Sequence, residues 1–369
     1  MTALGVGVVG CGVISEIYLS NAALFPQIEL RAVADLNSDA ARAKAEAHGV
    51  PAMTPAELMA RDDIDIVLNL TIPAAHVEVG LAALEAGKHV YSEKPLAGST
   101  ADARRLVEAA EARGLRIGCA PDTFLGGAHQ SARALLDAGR IGTPTAGTAT
   151  LMLAGHERWH PNPDFYYAGP GAGPLFDMGP YYITAMVALL GPVRRVTALA
   201  ARGRDRRIIA TGPRAGQSVP VETPTHVTGV LEFADGALVQ IVTSFDVKAH
   251  GHAPLELYGT EGSLVIPDPN RFDGTVRLYG EDWQDQPTTH AHGDGNYRGL
   301  GLAEMATAIQ AGTPHRASGA LALHVLDVIE TLLASAESGQ AIDLKTTCER
   351  PAAMRPGGTI GDISAAEAA

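Results

Sequence analysis

At 369 residues the chain has room for about two domains and a large buried core. Its formal net charge of −13 at pH 7 argues against nucleic acid or an anionic membrane as a partner. Three scattered cysteines, Cys11, Cys119 and Cys348, are too few for a disulfide framework. The first apolar run begins at Leu4, too early for a signal peptide, and no run approaches the ~20 apolar residues of a membrane helix. A cytoplasmic location is therefore expected.

Residues 4–9 form a Val-rich run of the kind found in fully buried parallel strands. Gly10-Cys11-Gly12-Val13-Ile14-Ser15 follows, and then Ile14, Ile17, Tyr18 and Leu24 recur at helical spacing. The glycines thus join a strand to a helix. Gly10 permits the tight turn, and Gly12 leaves the backbone open to a pyrophosphate at the helix N-terminus. Ser15 stands where a third glycine is usual and is small enough for close helix–sheet packing. Cys11 reads as a small filler rather than a tuned thiolate. A second strand over residues 28–34 ends at Asp35, whose carboxylate suits a ribose diol and repels a 2′-phosphate. Leu36, Asn37 and Ser38 supply no cation to accept that phosphate. NAD is expected over NADP.

The alternation continues. A helix over residues 40–48 closes at Gly49, and Thr54-Pro55 opens another. A strand over 64–70 turns at Thr71-Ile72-Pro73 into a helix that carries His76 and ends at Gly87. A strand over 89–92 leads to Glu93-Lys94-Pro95, and a helix over 101–113 and a strand over 115–120 follow. Such a pattern predicts a doubly wound parallel sheet, an α/β Rossmann domain over residues 1–120, with ligands at the C-terminal ends of the strands. The candidate cofactor contacts are Gly10, Gly12, Val13, Ile14, Asp35, Thr71, Pro73, His76, Glu93, Lys94 and Asp122, the last facing an interdomain cleft.

From Pro121 the pattern changes. A helix over 127–138 precedes strands over 143–153, 193–201, 225–233, 237–245, 254–258 and 263–266, with Ala234-Asp235-Gly236 as a hairpin turn. Helices are expected over 181–190, 300–310 and 320–335. This predicts an α+β domain over 121–350 with a large, mostly antiparallel open-faced sheet, followed by a loose tail over 351–369. The strands over 225–266 are the expected contact of a homo-oligomer, a dimer or tetramer. His290-Ala291-His292 and the basic run from Arg202 to Arg207 read as solvated.

The glycine turn, the Glu93-Lys94-Pro95 tripeptide and the helix opening at Asp177-Met178-Gly179 together resemble the Gfo/Idh/MocA oxidoreductases over residues 1–345. The resemblance implies a Rossmann domain plus an open-faced sheet, a sugar, inositol or polyol substrate, and a lysine, here Lys94, that touches the reacting oxygen. An ammonium at that place stabilises an alkoxide or polarises a carbonyl. The family pattern DxGxHxxD is altered twice, with Tyr181 for the histidine and Thr184 for the second aspartate. Pro180 suits the first position of that helix, and Asp177 lies just before it.

The expected activity is hydride transfer between nicotinamide and a secondary hydroxyl or ketone of a sugar, glycoside or cyclic polyol. In oxidation, Tyr181 or His160 takes the hydroxyl proton while Lys94 holds the alkoxide. Asp177 orients Lys94 or the substrate. Tyr181 needs its pKa lowered by a cation such as Lys94. Trp159, set among prolines and polar residues, suits the wall of a carbohydrate pocket beside His160. His156 and His160 are four apart, but the prolines argue against a helix, so no metal is expected. Two alternatives remain: a glycoside-cleaving enzyme that uses transient oxidation and elimination, and a non-catalytic NAD-binding regulator.

Overall fold

Successive residues of a strand face opposite sides of its sheet. All residues from Gly5 to Val9 are buried, so the first strand must be covered on both faces. The computed structural model, which describes residues 2–169 and 171–364, places it at the centre of a six-stranded parallel sheet. The strands are β1 (Leu4–Val9), β2 (Ile28–Ala34), β3 (Ala52–Met53), β4 (Ile66–Asn69), β5 (His89–Ser92) and β6 (Ile117–Cys119). Their order is β3-β2-β1-β4-β5-β6, so the chain reverses its direction of travel between β1 and β4 and opens a crevice there. The connecting helices are α1 (Ser15–Asn21), α2 (Ser38–His48), α3 (Pro55–Met59), α4 (His76–Glu85) and α5 (Thr100–Glu111). Local chemistry sets their ends. Asn37 caps α2 through Asp39 N and Ala40 N, Gly49 closes it at φ +69°, and Thr54 with Glu57 forms a capping box ahead of Pro55.

The second unit begins with α6 (Gly127–Asp137), β7 (Pro144–Met152), α7 (Pro174–Leu190) and β8 (Val193–Ala201). A small ribbon, β9 (Arg206–Ile208) with β10 (Ser218–Pro220), is inserted before β11 (His226–Phe233). β12 (Leu238–Ser244), β13 (Leu255–Gly259), β14 (Ser263–Ile266), β15 (Val276–Tyr279) and β16 (Trp283–Gln286) follow. The chain ends through α8 (Leu300–Ala311), α9 (Gly319–Ser338) and β17 (Ile342–Asp343). Nine strands form one sheet in the order β16-β15-β14-β13-β7-β12-β11-β8-β17, antiparallel except for the pair β7–β12. Gly236 at φ +91° makes the expected turn between β11 and β12. One face of the sheet packs on α6, α7 and α9, while Leu199, Leu238 and Tyr279 are exposed.

Several expectations are corrected. Helix α7 starts at Pro174, with Gly173 at φ +100° before it, so Pro180 is its seventh residue and Asp177 lies in its first turn. Both prolines suit a first helical position, but Pro174 holds it and Pro180 lies inside the helix. Helix α9 does have the length and apolarity of a membrane span, but it is mostly buried and packs on β8 and α7 as a core helix. His290 and His292 are buried, 8% and 3% exposed.

The tail is not loose over its described part. Met354 N donates to Gln130 Oε1 at 2.8 Å, Gln27 donates to Gly361 O at 2.7 Å, and Arg316 binds the carbonyls of Ala352, Ala353 and Ser364. Residues 365–369, like residue 1, lie outside the described residues. Nor is the Rossmann unit contiguous: Ser318 bridges Gly118 on β6, Cys119 N donates to Ala317 O, and Met305 of α8 abuts Gly118.

Candidate active site

The crevice at the ends of β1, β2 and β4 is built mainly from backbone. Gly10 lies at φ +105°, and a Cβ there would stand 2.5 Å from the Leu70 carbonyl group, so only glycine fits. Gly12 differs: a Cβ would meet nothing within 4 Å. Packing does not require that glycine, which instead leaves exposed backbone for a ligand to approach. Ser15 is fully buried and donates to Gly12 O at 2.7 Å, tying the turn to α1. Asp35 accepts Cys11 N at 2.7 Å and Asn37 N at 2.8 Å, one bond on each oxygen. Each oxygen keeps a lone pair for a ribose hydroxyl. Val13 is 96% exposed, Leu36 95% and Ile72 69%, at the ends of three neighbouring strands. Ile14 and Pro73 are exposed beside them, and Thr71 is partly so. Exposed apolar side chains around an open backbone fit a dinucleotide whose base covers them. Burial pushes the Cys11 thiol up to about 11, with Asp35 adding to the effect, as befits a filler residue.

Two cofactor candidates prove structural. His76 is 1% exposed, with Nδ1 2.7 Å from Pro95 O and Nε2 3.0 Å from Thr71 O, so it staples the β4 turn to the loop after β5. Asp122 is also 1% exposed, and its Oδ2 accepts Gly299 N at 2.9 Å and Gly301 N at 3.0 Å, capping α8. Burial pushes its carboxyl up to about 6.

The reacting corner assembles side chains from distant segments. Lys94 follows β5 and joins Pro95 by a cis bond. Its Nζ donates to Asp177 O at 2.7 Å and Asp177 Oδ1 at 3.1 Å, and lies 5.3 Å from the centre of the Tyr181 ring. The ammonium has three N–H groups, so one remains for a substrate oxygen. Burial alone lowers the lysine, but Asp177, Tyr181 and Glu93 outweigh it and hold the ammonium above its usual range. Burial likewise works against the Asp177 carboxylate, and Lys94 with His156 still keeps it below its ordinary value. Glu93 is a positioning group: Oε1 accepts the Tyr18 hydroxyl at 2.9 Å and Oε2 accepts Lys94 N at 2.9 Å.

The histidine beside Asp177 is His156, not His160. Its Nε2 is 2.8 Å from Asp177 Oδ2, and its Nδ1 accepts Trp159 Nε1–H at 3.1 Å. Indole N–H is only a donor, so Nδ1 carries the lone pair and Nε2–H donates to Asp177. His160 accepts Asn162 N at 3.1 Å and packs edge-on against the rings of Trp159, Phe165 and Tyr166. Trp159 and Phe165 are 58% and 54% exposed, an aromatic wall. The expected lowering of the Tyr181 pKa is also corrected: burial raises the phenol despite Lys94 and Arg298. Tyr181 is therefore a neutral donor. Arg298, which sequence reasoning missed, lies within hydrogen-bonding reach of Tyr181 and is steadied by Asn270 Oδ1 at 2.7 Å and Asn296 Oδ1 at 3.1 Å. Among the described residues no three His, Cys, Asp or Glu side chains gather to hold a metal.

A dinucleotide crevice that opens beside a clamped ammonium defines a nicotinamide-dependent oxidoreductase. Residues 4–120 match the oxidoreductase family with an NAD-binding Rossmann fold, and residues 129–265 match the GFO/IDH/MocA C-terminal domain. A dTDP-3,4-didehydro-2,6-dideoxy-alpha-D-glucose 3-reductase from Streptomyces violaceoruber is 32% identical over 72% of both chains. Inositol 2-dehydrogenase 3 from Saccharopolyspora erythraea is 29% identical over 76% of this chain and 79% of its own. The solved structure of levoglucosan dehydrogenase in complex with NADH and L-sorbose superposes with a TM-score of 0.81 at 22% identity, covering 94% of this chain and all of that one. The chain belongs to the Gfo/Idh/MocA family of NAD-binding oxidoreductases.

Proposed function

We propose that the protein interconverts a secondary hydroxyl and a ketone on a cyclic sugar or polyol, with Lys94 at the reacting oxygen. The observation that carries this is the Lys94 ammonium, held on Asp177 by two hydrogen bonds beside Tyr181. The names of the relatives, a deoxysugar reductase and an inositol dehydrogenase, support a polyhydroxylated ring as the substrate class. When bound along Gly12, Val13, Ile14 and Asp35, the nicotinamide cofactor supplies or accepts the hydride. Lys94 polarises the carbonyl through its free N–H, and Asp177 fixes the direction of that bond. Tyr181 is in its protonated form at neutral pH and donates to the same oxygen. With both groups protonated, they can share the oxygen of a ketone during reduction. The reverse reaction needs one of them to lose its proton first.

The test is a panel of keto-sugars and ketoinositols with NADH, and of the corresponding alcohols with NAD, followed by nicotinamide absorbance. NAD binding without turnover across the panel sinks the proposal. Glycoside cleavage without net NADH would replace it with the elimination chemistry. The exposed Leu199, Leu238, Tyr279 and Trp283 on the open sheet support a homo-oligomer through that face. A monomer by light scattering at micromolar concentration removes this part. Three free cysteines suit a reducing, cytoplasmic compartment.

A further inference from the structure

The ribbon β9–β10 lies in the connection between β8 and β11 and packs against residues 154–167, the segment that brings His156 to Asp177. Arg207 on β9, expected in solvent, is 3% exposed. Its Nη1 donates to Glu157 Oε1 at 2.8 Å, and its Nη2 to Phe245 O at 2.8 Å and to Asp246. The guanidinium stands 5.0 Å from the centre of the Tyr167 ring. The Tyr167 hydroxyl donates to Glu157 and accepts His156 N at 2.8 Å. Gly155 is at φ +98°, and a Cβ there would collide with Arg207, Glu157 and Tyr167. The loop between β9 and β10 also grips the segment, Ala210 N donating to Glu157 O at 2.8 Å and the Thr211 hydroxyl to Trp159 O at 3.1 Å.

Burying a guanidinium with two carboxylates is expensive and stabilises little beyond what apolar residues of the same volume would. What the cluster supplies is placement: it leaves the His156 backbone one position, which puts Nε2 on Asp177. We infer that Arg207 is a positioning residue for the chemistry at Lys94, acting through Glu157, Tyr167 and His156 to fix the Asp177 carboxylate that clamps the ammonium. The inference rests on Lys94 and Asp177 being the reacting corner. It adds that a residue on an inserted ribbon, in contact with neither cofactor nor substrate, governs that corner.

The experiment uses the full-length protein with Trp283→Phe, so that Trp159 is the remaining indole. Arg207→Met, Arg207→Lys and Glu157→Gln are compared on this background. Misplacing a catalytic group by about 1 Å can cost about 10²-fold in rate. Arg207→Met is expected to lower kcat by about 10- to 100-fold, with a smaller change in KM and NADH affinity within about twofold of its parent. Acrylamide quenching of Trp159 rises as its bond to His156 loosens, and Arg207→Lys restores part of kcat and of the shielding. Lys94, His156 and Tyr166 face Asp177, and Tyr181 faces Lys94. A displaced Asp177 therefore moves the alkaline limb of the kcat profile to lower pH.

A folded Arg207→Met variant with parental kcat, pH profile and Trp159 quenching overturns the inference. So does loss of NADH binding in step with activity, which marks a merely structural role. If Arg207→Met does not fold, Glu157→Gln decides by the same three readouts. Should Lys94→Met stay active, the reading of the corner fails by itself, whatever the quenching shows.

Discussion

The two ends of the cleft are made differently. The dinucleotide end uses two glycines and one strand-terminal acid within residues 10–35, and its geometry comes from a tight turn between strand and helix. The reacting end draws Lys94, His156, Asp177, Tyr181 and Arg298 from four separated segments, with Asp177 and Tyr181 sharing α7. A site built from backbone tolerates neighbouring change, because only a Cβ in the wrong place disturbs it. A site built from side chains depends on every tether. Charge follows the same division: Asp35 is half-buried with one backbone N–H on each oxygen, whereas Lys94 and Asp177 face each other and each alters the protonation of the other.

The contrast can be broken most severely at Lys94. Lys94→Met should lower kcat by on the order of 10³-fold, as loss of a principal oxyanion donor does, while NADH binding by fluorescence titration stays near wild type. Tyr181→Phe should cost about 10²-fold, and the double variant less than the product of the two, because both act on one oxygen. Equal loss of NADH binding in Lys94→Met would mean that the two ends are not separate.

At the other end, Asp35→Ser with Leu36→Arg removes charge-assisted hydrogen bonds and adds a phosphate partner. NAD affinity should fall by about 10- to 100-fold and NADP affinity should rise, with kcat at saturation little changed. A wild-type protein that already binds NADP more tightly contradicts the role given to Asp35.

The smallest effect concerns Asp122, which joins the two units. Its folded carboxyl is near 6, above the ~3.9 of an unfolded chain, so the native state binds more protons between those values. This group's contribution to stability therefore falls as pH rises from about 4 to about 6. Asp122→Asn keeps an acceptor for Gly299 N and Gly301 N but does not titrate. Its thermal midpoint, measured against wild type, should gain across that window and level off above it. A constant difference would show that Asp122 does not titrate there.

Legibility in the sequence followed the same division. Strand, glycine turn, helix and terminal acid are readable because each depends on near neighbours: the Val run, Gly10 and Gly12, and the helix-end residues Thr54-Pro55 and Gly49. Lys94 and Asp177 were readable only through a resemblance, since nothing local says that residues 83 positions apart share a hydrogen bond. Sequence alone does not separate His156 from His160, because both lie in one irregular, proline-bounded segment, and the packing of Tyr167 and Arg207 decides which reaches Asp177. Arg207 looked solvated because a basic run normally is, and its partners Glu157 and Asp246 come from other parts of the chain. Strands β15 and β16 are short and polar on one side, and Val276 with Leu278 was too brief an alternation to stand out.

The docked tail sets an order of events during translation. Domains are generally completed as they leave the ribosome, from the N-terminus onward. Here strands β1 to β6 emerge first, yet the β6 edge waits for Ala317 and Ser318, and Gln27 beside β2 waits for Gly361. Strands made early are completed by segments that follow most of the second sheet.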